Sequence, residues 1–368
     1  MHILDLSVIN YKNLAQADLH FSAKLNCFIG KNGVGKTNIL DCIYYLSFCK
    51  SYFNLPDNQN IRHQEDFFVL QGKYEIQDQT EDIYCGYKTG HKKKFRRGKK
   101  EYERLSDHIG LLPLVMISPS DSILIQGGSE ERRRFMDSVI SQYDRPYLDL
   151  LLRYNRALFQ RNNLLKNFAA NNTYDRDSLE VWDEQLILNG EKIHRKRKEF
   201  INDLLPVFQK YYEFISDNHE TVKLEYQSQL SSGDFRNMIC EAVPKDKLLQ
   251  YSTVGVHKDD LDLKIGDYPI KRQGSQGQNK TYLISLKFAQ YDFIRSINKI
   301  DPILLLDDIF DKLDSSRVEK IVQLVSENSF GQIFITDTNR EHLDSIIREA
   351  GGTDYHIFIV TDGQINSY

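Results

Sequence analysis

The stretch Gly30-Lys31-Asn32-Gly33-Val34-Gly35-Lys36-Thr37 constrains this chain more than any other. It satisfies GxxxxGK[ST] in full, and its flanks have the right texture. Leu25 to Ile29 before it is an apolar run of strand length, and Ile39, Leu40, Ile43 and Leu46 after it recur at helical spacing. A strand, a glycine-rich turn and a helix in that order curl backbone N–H groups around phosphate oxygens, with the positive end of the helix facing them. Lys36 is then expected to reach the β- and γ-phosphates of ATP, and the Thr37 hydroxyl to coordinate Mg²⁺, with Asn38 closing the nucleotide-binding loop. The chain must build an α/β domain around a buried strand.

Such a loop needs a carboxylate for the metal, carried on a neighbouring buried strand. Pro302 to Leu306 (PILLL) reads as that strand, and Asp307-Asp308 stand at its carboxyl end. Asp307 suits the Mg²⁺ shell, and Asp308 suits the catalytic residue that polarises the attacking water. The bland alternative is a pair of carboxylates that merely ends a strand. Asp307 lies 307 − 36 = 271 residues after Lys36, far beyond one compact βαβ unit. The intervening chain has to leave the nucleotide domain and return.

The texture of the chain agrees. Alternating apolar residues predict a hairpin over the first 21 residues, and short strands are expected from Phe67 to Lys88 and from Leu112 to Ser118. From Ser129 to about Pro206, leucines at helical spacing predict three or four helices, with a loop at Asn171 to Asp177. Ser228 to Lys247 is polar and weakly patterned, and a hairpin is expected at Leu261 to Ile270. The last ninety residues read helix, strand, helix, strand, helix, strand. The expected organisation is a discontinuous α/β head, residues 1–128 and 248–368, with a mainly helical inserted lobe at 129–247.

Ser275-Gln276-Gly277-Gln278 precedes the first of those helices, where a serine hydroxyl and glycine amides suit a γ-phosphate. ATP-binding-cassette heads, SMC-type heads among them, share both the long separation and such a signature loop, which faces the ATP of a second subunit. Asp311 to Asp314 stand where a D-loop would lie, and Thr336-Asp337 where a switch histidine often does. The expected fold is an ABC-type, SMC-head-like P-loop ATPase with an inserted α-helical lobe.

Three further stretches make the sequence similar to the RecF family of bacterial recombination-mediator ATPases, over nearly the whole chain. They are PSDSILIQGGSEERRRFMD (Pro119 to Asp137), VGVHKDD (Val254 to Asp260), and SQGQ followed by LLLDDIFDKLD. Tyr11-Lys12-Asn13 stands where the family has Phe-Arg-Asn, so the resemblance implies nucleotide contacts from Lys12 and Asn13, without guanidinium geometry. Ser120, Val256 and Lys258 also depart from the family pattern, and no glutamine stands in the Q-loop region, Ser118 to Asp121. The resemblance implies a weak DNA-stimulated ATPase, an ATP-dependent homodimer that binds double-stranded DNA at gapped junctions. It implies RecO and RecR as partners in loading recombinase. The alternatives are another ABC-type ATPase, such as a transporter subunit, disfavoured by the missing coupling glutamine and switch histidine and by the large helical insertion, or an SMC-like or nuclease-associated head.

A net charge of −4 excludes a protein that is basic all over, so DNA contact requires a local patch. His91 to Lys100 (HKKKFRRGKK) is the most basic segment. It reads either as a solvated hairpin tip or as a DNA surface lined by Lys92, Lys93, Lys94, Arg96 and Arg97. Arg132 to Arg134 follows two glutamates and reads as internal ion pairing at least as readily as DNA contact, and His194 to Lys198 reads as an exposed helix face. Five cysteines without a CxxC pair, no signal-like start and no long apolar run lead us to expect a soluble, cytoplasmic protein without a membrane span.

Overall fold

A computed structural model describes residues 1–217, 220–311, 313–327, 330–338, 340–349 and 354–367. The chain opens with β1 (His2–Tyr11), β2 (Leu14–His20) and β3 (Leu25–Ile29), followed by α1 (Lys36–Phe48). Next come β4 (Phe67–Ile76), β5 (Gln79–Lys88), β6 (Lys94–Arg97), β7 (Lys100–Glu101) and β8 (Leu114–Ile117). The middle contains α2 (Ser122–Gln126), α3 (Ser129–Ser141), α4 (Arg145–Asn171), α5 (Arg176–Ser216), β9 (Val222–Gln227), α6 (Phe235–Leu249), β10 (Asp260–Ile265), β11 (Tyr268–Pro269) and α7 (Ile270–Gln273). The chain closes with α8 (Gln276–Asn298), β12 (Ile303–Asp307), α9 (Ser315–Ser326), β13 (Ile333–Asp337), α10 (Arg340–Glu349), β14 (Tyr355–Thr361) and β15 (Gln364–Ser367).

Contacts divide these elements into two compact units. The first comprises Met1–Asp121, Phe214–Asn218 and Gln276–Tyr368, and it contains two six-stranded sheets. One sheet runs β2-β1-β4-β5-β6-β7 and is antiparallel throughout. Its strands alternate buried and exposed residues, as expected of a sheet with one face on a core. The other sheet runs β15-β14-β3-β13-β12-β8. It is parallel except at β15, and its strands β12, β13 and β8 are buried at every residue. That is why they read as continuous apolar runs. Helix α1 packs between the sheets, with Ile39, Leu40, Ile43, Tyr45 and Leu46 fully buried.

The second unit comprises Ser122–Glu213 and His219–Ser275. It includes α2 and the β10–β11 hairpin as well as the helices, so its limits lie outside the 129–247 expected from sequence texture. Three helices span the leucine-rich region, as expected. Asp144 caps α4 by accepting from the Tyr147 N–H, and Pro146 occupies its first turn. One expectation fails here, and one weakly patterned stretch proves helical. Helix α5 does not stop near Pro206 but runs through it to Ser216, because Phe208, Tyr212 and Ile215 continue its buried face. The polar stretch Ser228 to Lys247 contains α6, capped by Asp234 and holding Pro244 inside it.

Buried ion pairs hold this unit together. Arg197, expected on an exposed face, is 2% exposed and binds Asp137 at 3.0 Å and Asp259 at 2.8 Å. Arg161 binds Asp246 at 2.6 Å. Arg132 pairs with Asp260 at 2.6 Å, and Arg134, nearer the surface, with Glu130 and Glu131 at 3.0 Å, which is the ion-pairing alternative of the two readings of that triplet. His257 sits between the Tyr154 hydroxyl (2.8 Å from Nδ1) and the Ser252 carbonyl (3.0 Å from Nε2), and burial lowers its pKa to about 4. It is a neutral structural pin. No helix among the described residues is long and apolar enough to cross a membrane.

Candidate nucleotide site

In a parallel sheet the carboxyl ends of the strands emerge along one edge. Here the register sets Ile29 beside Asp337, Thr336 beside Asp307, and Leu306 beside Ile117. The loops that follow β3, β8, β12 and β13 therefore begin side by side. That topology brings together residues 30, 118, 307 and 336, which the sequence scatters over three hundred positions.

The loop after β3 is the Gly30–Thr37 segment, and α1 starts at Lys36 with no side chain capping its N-terminus. Its first-turn N–H groups are thus aimed at whatever occupies the loop. Gly35 adopts φ 115°, and a Cβ there would lie 2.8 Å from the Asn13 amide, so only glycine fits. Asn13 braces the loop from behind. Its Nδ2 donates to the Val34 carbonyl (3.0 Å), and its Oδ1 accepts from Asn38 Nδ2 (2.7 Å). Lys36 lies across the loop and donates to the carbonyls of Gly30 (2.7 Å) and Lys31 (2.9 Å). Burial lowers its pKa, while Asp308, Asp307 and Asp337 pull the other way.

Beneath the loop, three hydroxyls surround one carboxylate. Thr37 Oγ1 lies 2.8 and 3.0 Å from the two oxygens of Asp307, Thr336 Oγ1 donates to Oδ1 at 2.7 Å, and Ser118 Oγ is 3.4 Å from Oδ2. Asp307 is 5% exposed. A carboxylate and hydroxyl oxygens are hard donors, and the set fits Mg²⁺ shared with nucleotide phosphates. Among the described residues no group of three His, Cys, Asp or Glu side chains forms a closed metal cage. Sequence marks Thr336 only as standing at the switch position and gives Ser118 no site role; the signal for both is their place at the ends of strands flanking β12.

Asp308 follows β12 with φ 49°, a left-handed conformation uncommon outside glycine. Burial raises its pKa, and the charges of Asp337, Asp307 and Asp311 raise it further against the opposing Lys280. Lys280, one turn into α8, donates to the carbonyls of Asp308 (3.3 Å) and Asp311. Gln276, Gly277 and Gln278 form the first turn of that helix, Ser275 precedes it, and Ser275 and Gln276 are exposed. A Cβ at Gly277 would meet the Arg317 guanidinium at 2.6 Å. Asp314 caps α9 through the Arg317 N–H, and Lys312 of the expected D-loop lies outside the described residues.

Lys12 is placed differently from the simplest expectation. Its ammonium is 2.6 Å from Asp41 of α1, under the Phe53 ring at 4.6 Å. Asp41 is fully buried and also accepts from the Tyr11 hydroxyl, the Ser51 hydroxyl and the Tyr52 N–H. Lys12 therefore secures the loop's helix.

The basic segment is not a free tip. Lys94 to Arg97 is strand β6, whose Phe95 is in the core. Lys93 turns inward to the Cys49 carbonyl at the end of α1 (2.7 Å), the Tyr45 hydroxyl (2.9 Å) and Asp57 (3.0 Å). Arg97 forms a two-pronged pair with Glu81, and Arg96 stacks on Tyr84 with 4.2 Å to the ring centre. Lys92 and Lys94 are exposed, as are Lys99 and Lys100.

Comparison with known proteins bears on the family and the fold. The family described as RecF/RecN/SMC N terminal domain matches residues 2–356. A protein of Bacteroides fragilis strain YCH46 named DNA replication and repair protein RecF is 58% identical over 98% of this chain and 97% of its own. A protein of the same name from Flavobacterium johnsoniae is 49% identical over 97% of this chain and 99% of its own. Among solved structures, the recombination mediator protein RecF with ATP, from the RecFOR pathway, superposes with a TM-score of 0.89 at 26% identity. That likeness covers 100% of this chain and 97% of the other. An SMC head bound to the C-winged helix domain of ScpA matches at 0.60 and 14% identity, over 100% and 98% of the chains, a likeness of fold alone. The fold is that of an ABC-type, SMC-head-like ATPase.

Proposed function

The chain belongs to the RecF family of DNA replication and repair proteins, and from that premise we propose that it is an ATPase whose nucleotide clamps two copies of the chain on DNA. The observation that carries the reading is the cluster of Thr37, Ser118 and Thr336 hydroxyls around Asp307, directly below an uncapped α1. Residues Gly30 to Asn38 cradle the phosphates of ATP, with Lys36 leaving the Gly30 and Lys31 carbonyls for the β- and γ-phosphates. Mg²⁺, held by Thr37 and Asp307, supplies charge neutralisation for phosphoryl transfer. Asp308 accepts the proton of the attacking water, a task its raised proton affinity suits. Asn13 fixes the loop, and Lys12 acts on it through Asp41.

The exposed residues Ser275 and Gln276, with the amides of Gly277 and Gln278, form the surface offered to the ATP of a second copy. DNA contact falls to the exposed lysines of the basic segment, Lys92 and Lys94 with Lys99 and Lys100, while the exposed Arg97 is engaged by Glu81. The solved relative's place in the RecFOR pathway supports RecO and RecR as partners, and we propose gapped DNA as the setting. Titration with a fluorescent ATP analogue tests the reading. Wild type binds it with Mg²⁺, and Lys36→Ala loses binding by about tenfold or more, since the lysine meets phosphates in a charge-assisted contact. Equal binding by the two proteins contradicts it.

A further inference from the structure

The switch position at the end of β13 holds no histidine, and Thr336 takes an unassigned place there. Its hydroxyl is fully buried and makes two bonds of opposite sense. It donates to Asp307 Oδ1 at 2.7 Å and accepts from the Asp308 N–H at 3.2 Å. The Thr336 carbonyl also accepts from that N–H at 3.2 Å. One side chain thus touches both members of the aspartate pair.

We propose that Thr336 is a positioning residue that sets the geometry of the metal carboxylate and the water-polarising carboxylate together. The inference rests on the nucleotide reading above. The bond donated to Oδ1 adds to the Thr37 and Ser118 contacts in restraining the rotation of the Asp307 carboxylate, which would hold Mg²⁺. The accepted bond holds the backbone of Asp308 from its N–H side, while Lys280 holds its carbonyl. Pinned at both ends, Asp308 keeps φ 49°, a conformation that an aspartate adopts at some cost when free. Deleting the hydroxyl loosens both carboxylates at once, whereas a merely packing role for Thr336 depends only on its size.

Full-length wild type, Thr336→Val and Thr336→Ser separate these roles. Valine keeps the shape and removes the hydroxyl; serine keeps the hydroxyl and removes a methyl. Three quantities are read: affinity for a fluorescent ATP analogue in EDTA, the Mg²⁺ concentration that half-maximally tightens that binding, and steady-state hydrolysis. Thr336→Val leaves the EDTA affinity unchanged, raises the Mg²⁺ requirement about tenfold and lowers turnover about 10- to 100-fold, the scale of lost second-layer bonds at metal sites. Thr336→Ser restores both. A Val variant matching wild type in Mg²⁺ titration and turnover overturns the proposal, as does a Ser variant as impaired as Val. Should valine unfold the protein by circular dichroism, Thr336→Cys poses the same question with the same two outcomes. Wild type that fails to bind ATP at all defeats the nucleotide reading itself; wild-type turnover shared by the Val variant defeats only this inference.

Discussion

Asp308 concentrates the electrostatics of the site. Its proton affinity is raised first by burial and next by the charge of Asp337. A base works only when deprotonated, so turnover should rise with pH through this raised pKa, and its acid limb should lie above the ordinary carboxylate range. Asp337→Asn removes a like charge, which lowers the pKa of Asp308 and shifts the limb to lower pH. A pH–rate profile of the two proteins checks this, and an unmoved limb speaks against Asp308 as the base. At this scale the sequence was informative wherever a residue type is fixed by one motif: Gly30 to Thr37 and Asp307 could be read directly. Ser118, Thr336 and Lys280 could not, because their roles arise from neighbouring strand ends and a helix turn that bring distant hydroxyls and an ammonium onto the aspartates.

Among the elements, the β5–β6 segment shows how pairing redistributes a charge run. The sequence offers seven cations in ten residues, and the fold spends several of them internally. Lys93 lies at the carboxyl end of α1, where helix carbonyls favour a cation, and its side chain is 12% exposed. Lys93→Met should lower stability by about 1–3 kcal/mol in thermal melts, the scale of a lost charged hydrogen bond, and leave the salt dependence of DNA binding as it was. Neutralising Lys92, Lys94 and Lys99 together should do the reverse. Melting stays level, while the slope of log affinity against log salt falls by about 2–3 if each meets a phosphate. A salt slope altered by Lys93→Met alone contradicts the division. Periodicity found the strands and helices of the parallel sheet because their runs are apolar and bounded by glycine, proline or aspartate. It missed α6 and the end of α5, where tertiary burial overrides the weak propensity of a proline-containing helix.

For the whole molecule, the distance between Lys36 and Asp307 in sequence is absorbed by a second compact unit of helices and a small sheet, and both chain ends build the first. The long separation announced that division in the sequence, whereas its limits depend on where α2 and the β10–β11 hairpin pack, which no local pattern encodes. On the reading proposed above, ATP joins two copies through the loop at Ser275 to Gln278. Sedimentation velocity of Asp308→Asn with ATP and Mg²⁺ tests it most directly, because that variant retains Lys36, Thr37 and Asp307 but lacks the base. The expected result is a dimer that forms with ATP, persists without turnover, and disappears when Lys36→Ala or a bulky substitution at Gly277 is added. A sedimentation coefficient that stays monomeric at saturating ATP, or a dimer indifferent to both added changes, would contradict it.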